Sequence, residues 1–178
     1  LRHMLESMLN DSHKPFYKLF DKIYLERIAW THYEPFLQKQ AKLQWGKALA
    51  ADTLEAICEH SEQHAYYVNK LCYKVWQSAK LPNAEGVHHA WASLYEEEQS
   101  AVAGDIFLLS KNQRVVLQAV AQVGWVKTTT SASFLSTVSL SGSSVQLAVK
   151  TLVAKDFIEK IEDQYRVIDP MIKYSLRR

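Results

Sequence analysis

Cys58, His60, His64 and Cys72 are residue types that can hold a zinc ion, because thiolate sulfur and imidazole nitrogen are its preferred donors. Their spacing argues against such a site. Cys58 shares a helical stripe with Leu54 and Ile57, and Cys72 shares one with Leu71 and Val75, so both thiols are expected in the core. His60 lies roughly opposite the Cys58 stripe, and His88 and His89 are adjacent and point different ways, as surface residues do. No metal site is expected. Serine is abundant between Ser131 and Ser144, yet no G-x-S-x-G turn or partnered histidine accompanies it. Hydroxyls at helix starts satisfy free amides, and capping explains the serines better than nucleophilic chemistry. Phosphate binding by a P-loop needs a glycine-rich turn followed by Lys and Ser or Thr. Glycines 46, 86, 104, 124 and 142 stand far apart, and no acidic residue follows a strand as a Walker B carboxylate would. This chain by itself is not expected to hydrolyse ATP, and it is not expected to be an enzyme.

The elements that must position these residues come from 178 residues, 48% of them apolar and 11% aromatic, enough to fill a core. No apolar run reaches the length of a membrane span, and the start lacks the sections of a secretory signal. Two cysteines without a disulfide framework agree with a reducing compartment, and the expected location is the cytoplasm. Charge is unevenly spread. Residues 1–105 carry 11 Lys and Arg against 14 Asp and Glu, a net −3, whereas residues 106–178 carry 10 against 5, a net +5. The basic C-terminal part favours an anionic partner.

Pro15 should end an opening helix near Lys14, and residues 22–28 read as an extended connector. Thr31 with Glu34, and Asp52 with Glu55, have capping-box spacing ahead of two helical stretches, the first of which ends at Gly46. A third helix puts Val68, Leu71, Cys72 and Val75 on one stripe and turns Tyr66 away from it; residues 80–86 form a turn. A further helix follows, with a break expected near Gly104, and the glutamates at 96–98 form a solvated face. The spacing after Ser110 differs. Ser110 and Gln113 make a capping box for a helix that stops at Gly124. A short helix over about 131–138, a tight turn, a longer helix from about Gly142, and the strands 157–161 and 164–168 joined at Glu162 and Asp163 complete the pattern. The expected fold class is mainly α, a helical bundle followed by a winged helix-turn-helix domain with a small β-hairpin wing.

Four stretches, "RHMLESMLNDSHKPFYKLFDKIYLERI", "EHSEQHAYYVNKLCYKVW", "LSKNQRVVLQAVA" and "VIDPMIKYSLRR", resemble in order successive parts of archaeal and bacterial P-loop ATPases of the AAA+ and STAND group. The resemblance spans nearly the whole chain. It implies that residues 1–20 are the tail of a nucleotide-binding domain after its sensor-1 strand, 21–105 an AAA+-like helical lid, and 106–178 a winged helix-turn-helix domain. It further implies an N-terminal P-loop domain as partner, and ATP with Mg2+ as cofactors of the whole ATPase. Family lids carry Gly-His-Pro-Tyr-Tyr where this chain has Gln63, His64, Ala65, Tyr66 and Tyr67. His64, Ala65 and Tyr66 are therefore the nucleotide-contact candidates.

In a winged helix the second helix of the motif enters the major groove and the wing meets the backbone. The candidates for DNA or partner contact are Ser143, Ser144, Gln146, Leu147 and Lys150 on that helix, with Lys160 and Arg166 on the wing. With Val145, Ala148, Val149 and Leu152 facing the core, the outer stripe is Ser143, Leu147, Lys150 and Ala154. One lysine is a thin cationic surface for a polyanion. Leu147 instead marks an apolar contact. A domain that docks on protein is the favoured expectation, and a duplex-DNA-binding module is the alternative.

Overall fold

A computed structural model describes residues 8–9, 12–14, 17 and 27–178. Most of the expected opening helix, of the 1–20 tail and of the 22–28 connector lies outside the described residues. The chain is mainly helical, with one two-stranded antiparallel hairpin among the described residues. It divides into two compact units, Leu25–Ala101 and one containing Val102–Arg178. Among the described residues no helix is long and apolar enough to cross a membrane.

The first unit holds α1 (Trp30–Trp45), α2 (Ala51–Ser61), α3 (Ala65–Trp76) and most of α4 (Ala84–Phe107). Thr31 does not cap α1. The Ala29 carbonyl already accepts from the His32 and Tyr33 amides at 2.9 and 3.4 Å, which starts the helix earlier and brings Tyr33 into the core. Gly46 ends it in the left-handed conformation, its amide bonded to the Lys42 carbonyl. Asp52 does not cap α2 either. It sits inside the first turn, accepts from the Thr53 amide at 2.6 Å, and places its carboxylate near the partial positive charge of the helix start. The Gln38 side chain pairs with both backbone groups of Leu49 at 2.8 and 3.0 Å, fixing the loop between α1 and α2.

Two residues of the α2–α3 turn, Glu62 and Gln63, have φ of 46° and 59°. Left-handed backbone suits glycine, yet both positions carry side chains. The Asn83 side chain accepts from the Gly86 amide at 2.9 Å, so α4 begins at Ala84 and the expected turn is three residues shorter. Nor is α4 broken at Gly104, where an added Cβ would meet open space. Val68, Leu71 and Val75 are buried as the stripe requires, but Cys58 and Cys72 are only partly covered.

The second unit holds α5 (Lys111–Val123), α6 (Ala132–Val138), α7 (Gly142–Ala154), β1 (Ile158–Ile161), β2 (Gln164–Val167) and α8 (Pro170–Arg177). Both halves of the Ser110–Gln113 capping box are present. Ser131 and Ser141 cap α6 and α7 by accepting from the Phe134 and Ser144 amides, so the serine-rich segment is indeed a pair of helix starts. The apolar face of α7, Val145, Ala148, Val149 and Leu152, packs against α5 and β1.

Two features went unread in the sequence. A single bridge pairs Val126 with Tyr165, adding a third short edge to the hairpin. Asp169 accepts from the Met171 and Ile172 amides at 2.7 and 3.1 Å ahead of Pro170, which makes "DPMIKYSLR" a helix. Arg177 of α8 donates to the Ala121 carbonyl at 2.6 Å and so covers the C-terminus of α5, where a cation also suits the helix dipole. Gly124 closes that helix at φ 89°, and a Cβ there would stand 3.4 Å from the Arg177 guanidinium.

Candidate nucleic-acid interface

In the second unit a groove of about 650 Å3 runs between α7, the hairpin and the segment joining α5 to α6. Gln146, Val149, Lys150 and Val153 line it from α7, Lys160, Asp163 and Tyr165 from the hairpin, and Lys127 to Thr130 from the connecting segment. Three lysines from three separate stretches thus converge. Lys127 and Lys150 are exposed and have no hydrogen-bond or ion-pair partner among the described residues. Lys160 lies 3.3 Å from Asp163 in a solvent-exposed pair, and its ammonium stands 5.9 Å from the Tyr165 ring. A pair so exposed contributes little and yields readily to a competing anion.

Strand register sorts the remaining candidates. Lys160 pairs with Tyr165 and Glu159 with Arg166, and since successive side chains point to opposite faces, Arg166 leaves the face that carries Lys160. It binds Glu159 at 2.7 Å and lies over the Trp125 ring at 4.7 Å. Arg166 is therefore a neutralised packing residue away from the groove. Ser143 and Ser144 do not line it; the Ser141 hydroxyl lies 3.1 Å from that of Ser143 and donates to that of Ser144 at 2.9 Å. Leu147 is 68% exposed on the outer side of α7.

A helix, a short helix, a tight turn, a third helix with one face bare, and a hairpin beside that bare face are now in view. Residues 104–178 match the family model of a probable winged helix domain. No curated protein and no solved structure matches the chain. In this winged helix α7 is the second helix of the helix-turn-helix and β1–β2 the wing, and the groove is the angle between them. Of the sequence candidates Gln146, Lys150 and Lys160 line this groove; Lys127, the three threonines and Tyr165 line it too and were not among them. The run "VKTTTS" carried a signal, a lysine followed by hydroxyls in a loop, which the recognition-helix template did not cover.

The lid candidates lie in the first unit. His64 is the residue before α3, Ala65 its first residue, and Tyr66 stands half exposed. Glu98 of α4 gathers this region. It accepts from the Tyr66 hydroxyl at 3.1 Å and the Tyr67 hydroxyl at 3.4 Å, and it pairs with Lys70, whose pKa it raises. Tyr66 is half exposed, but the Lys70 ammonium stands 5.1 Å over its ring, and that cation is committed to a carboxylate close by. Such a place suits an apolar or aromatic group better than a phosphate.

No cluster of three metal-ligating side chains occurs among the described residues. His60 has another role. Its ring stacks on Trp91 at 5.2 Å and 17°, and its Nε2 lies 2.7 Å from Nδ1 of His88. Burial, with a smaller push from His88, lowers its pKa from 6.5 to about 4. Below 6.5 the unfolded chain takes up a proton that the folded chain refuses until about pH 4, so stability from His60 is full above that window and is lost as pH falls through it. The thermal midpoint of wild type is expected to drop more steeply between those limits than that of His60→Phe; parallel curves would contradict this. Burial also pushes the Cys72 thiol up to about 12, which leaves it a protonated, inert packing group.

Proposed function

We propose that this chain is the lid and winged-helix portion of a P-loop ATPase of the AAA+/STAND group, and that the winged helix is its effector surface, taking duplex DNA in the groove between α7 and the wing. Convergence of Lys127, Lys150 and Lys160 on one groove carries the DNA reading. The recognition helix alone offers a single lysine, whereas three cations on one concave surface match a phosphate backbone. Gln146, in the same groove, has the amide pair that can bond an adenine edge.

The ATPase context is supported by the four ordered stretches of resemblance and by left-handed Gln63 at the lid position that glycine occupies in the family. In that context the separate P-loop domain, with Mg2+, handles the phosphates of ATP, and α3 contributes the Tyr66 ring near the nucleotide. Lid contacts that differ between nucleotide states would then bias the placement of the winged helix. A second reading, docking on protein, is favoured by one observation, the bare Leu147 side chain on the outer face of α7.

Fluorescence anisotropy with a labelled duplex separates the two. The DNA reading expects binding at low salt that weakens steeply as salt rises and that Lys150→Ala reduces. No binding at low salt removes it in favour of the protein-docking surface.

A further inference from the structure

We infer that the segment from Lys127 to Thr130 is a phosphate seat, holding the same DNA strand that Lys150 and Lys160 hold from the recognition helix and the wing. This rests on the DNA-binding reading, which already counts Lys127, and deepens it by making the Thr128 and Thr130 hydroxyls partners of that lysine on one phosphate. Lys127, Thr128 and Thr130 are exposed and line the groove, while Thr129 between them is buried. The segment is also pinned at both ends. At one end Val126 exchanges backbone bonds with Tyr165 at 2.8 and 2.9 Å, which ties the residue before Lys127 to the wing. At the other, the Ser131 amide bonds the Thr128 carbonyl at 3.2 Å and the Ser131 hydroxyl caps α6.

A lysine and two hydroxyls on such a braced loop form the kind of set that fixes a backbone oxygen without reading sequence. Placement supports a single strand as the occupant. Lys160 and Lys127 stand on segments joined through the Val126–Tyr165 bridge, and Lys150 faces them from α7. A backbone threaded through this groove meets all three in turn. The seat also explains why a polar run with no capping role precedes Ser131.

The test measures duplex affinity of the full chain against salt, with duplex RNA of the same sequence as competitor. Three phosphate contacts give a log–log slope of about −2.7, or about 40-fold weaker binding at 200 than at 50 mM salt. Lys127→Ala is expected to make the slope shallower by about 0.9, as one lost contact should, and Lys127→Arg to restore it. Thr128→Val with Thr130→Val should weaken binding without changing the slope. Lys111→Ala, an exposed lysine at the start of α5, serves as the control and should change neither. All these side chains are exposed, so unchanged thermal midpoints should accompany the losses. A wild-type slope in Lys127→Ala, while Lys150→Ala still lowers it, overturns the seat but leaves the DNA reading standing. Tighter binding of the RNA duplex overturns the assignment of the strand to DNA, and no binding at 50 mM salt overturns the reading on which the seat rests.

Discussion

Replacing Lys127, Lys150 and Lys160 together with alanine is expected to abolish measurable binding of duplex DNA at moderate salt. The argument is one of counterions. Each phosphate neutralised releases condensed cations, and affinity that depends on three such contacts has little left when all three are gone. Among the described residues no other exposed cation lines the groove, and Arg166, the nearest candidate by sequence, is already paired with Glu159 and lies over Trp125. Arg166→Ala should therefore behave differently from the lysine variants, leaving the salt slope intact while lowering stability through the lost wing packing. Anisotropy titrations and thermal melts on the same proteins would check both statements. Binding that survives the triple substitution would move the interface to another face, of which the exposed Leu147 side of α7 is the first to examine.

Trp91→Ala is expected to cost the first unit about 3–5 kcal/mol, the range for removing a large buried aromatic. Trp91 is the largest fully buried side chain of the described residues. Its ring meets His60 face to face and Tyr67 edge-on at 5.6 Å and 67°, so truncation opens a cavity and strands two neighbours from different helices. Each compact unit has its own core. The melt should consequently show loss of the first-unit transition at physiological temperature with duplex affinity retained by the winged helix. Circular dichroism melting together with the anisotropy assay reads both; loss of DNA binding along with the melt would contradict independent cores.

Ser110, Ser131, Asp169 and the glycines at 46 and 124 show how much of this fold is local. A cap satisfies amides within three residues of itself, a left-handed glycine ends the helix behind it, and a two-residue turn joins adjacent strands. These signals placed α5, α6, α7 and the hairpin without reference to anything distant, and Asp169–Pro170 would have placed α8 had it been weighted as a start. Capping signals failed at α1, where the Ala29 carbonyl closes the turn first, and at α2, where Asp52 lies inside the first turn, while the Asn83 cap that starts α4 went unread.

The sequence by itself determined that this chain is mainly helical, where its hairpin lies and which face of α7 is apolar, because periodicity and capping depend on neighbours a few residues away. Only the tertiary structure decided the groove. Lys127, Lys150 and Lys160 are far apart along the chain, and Arg166 sits much closer to Lys160 than Lys127 does. Strand alternation sends Arg166 to the other face, and the Val126–Tyr165 bridge brings Lys127 in. Which charges meet is set by packing and strand pairing between segments, a relation that no short window of sequence contains.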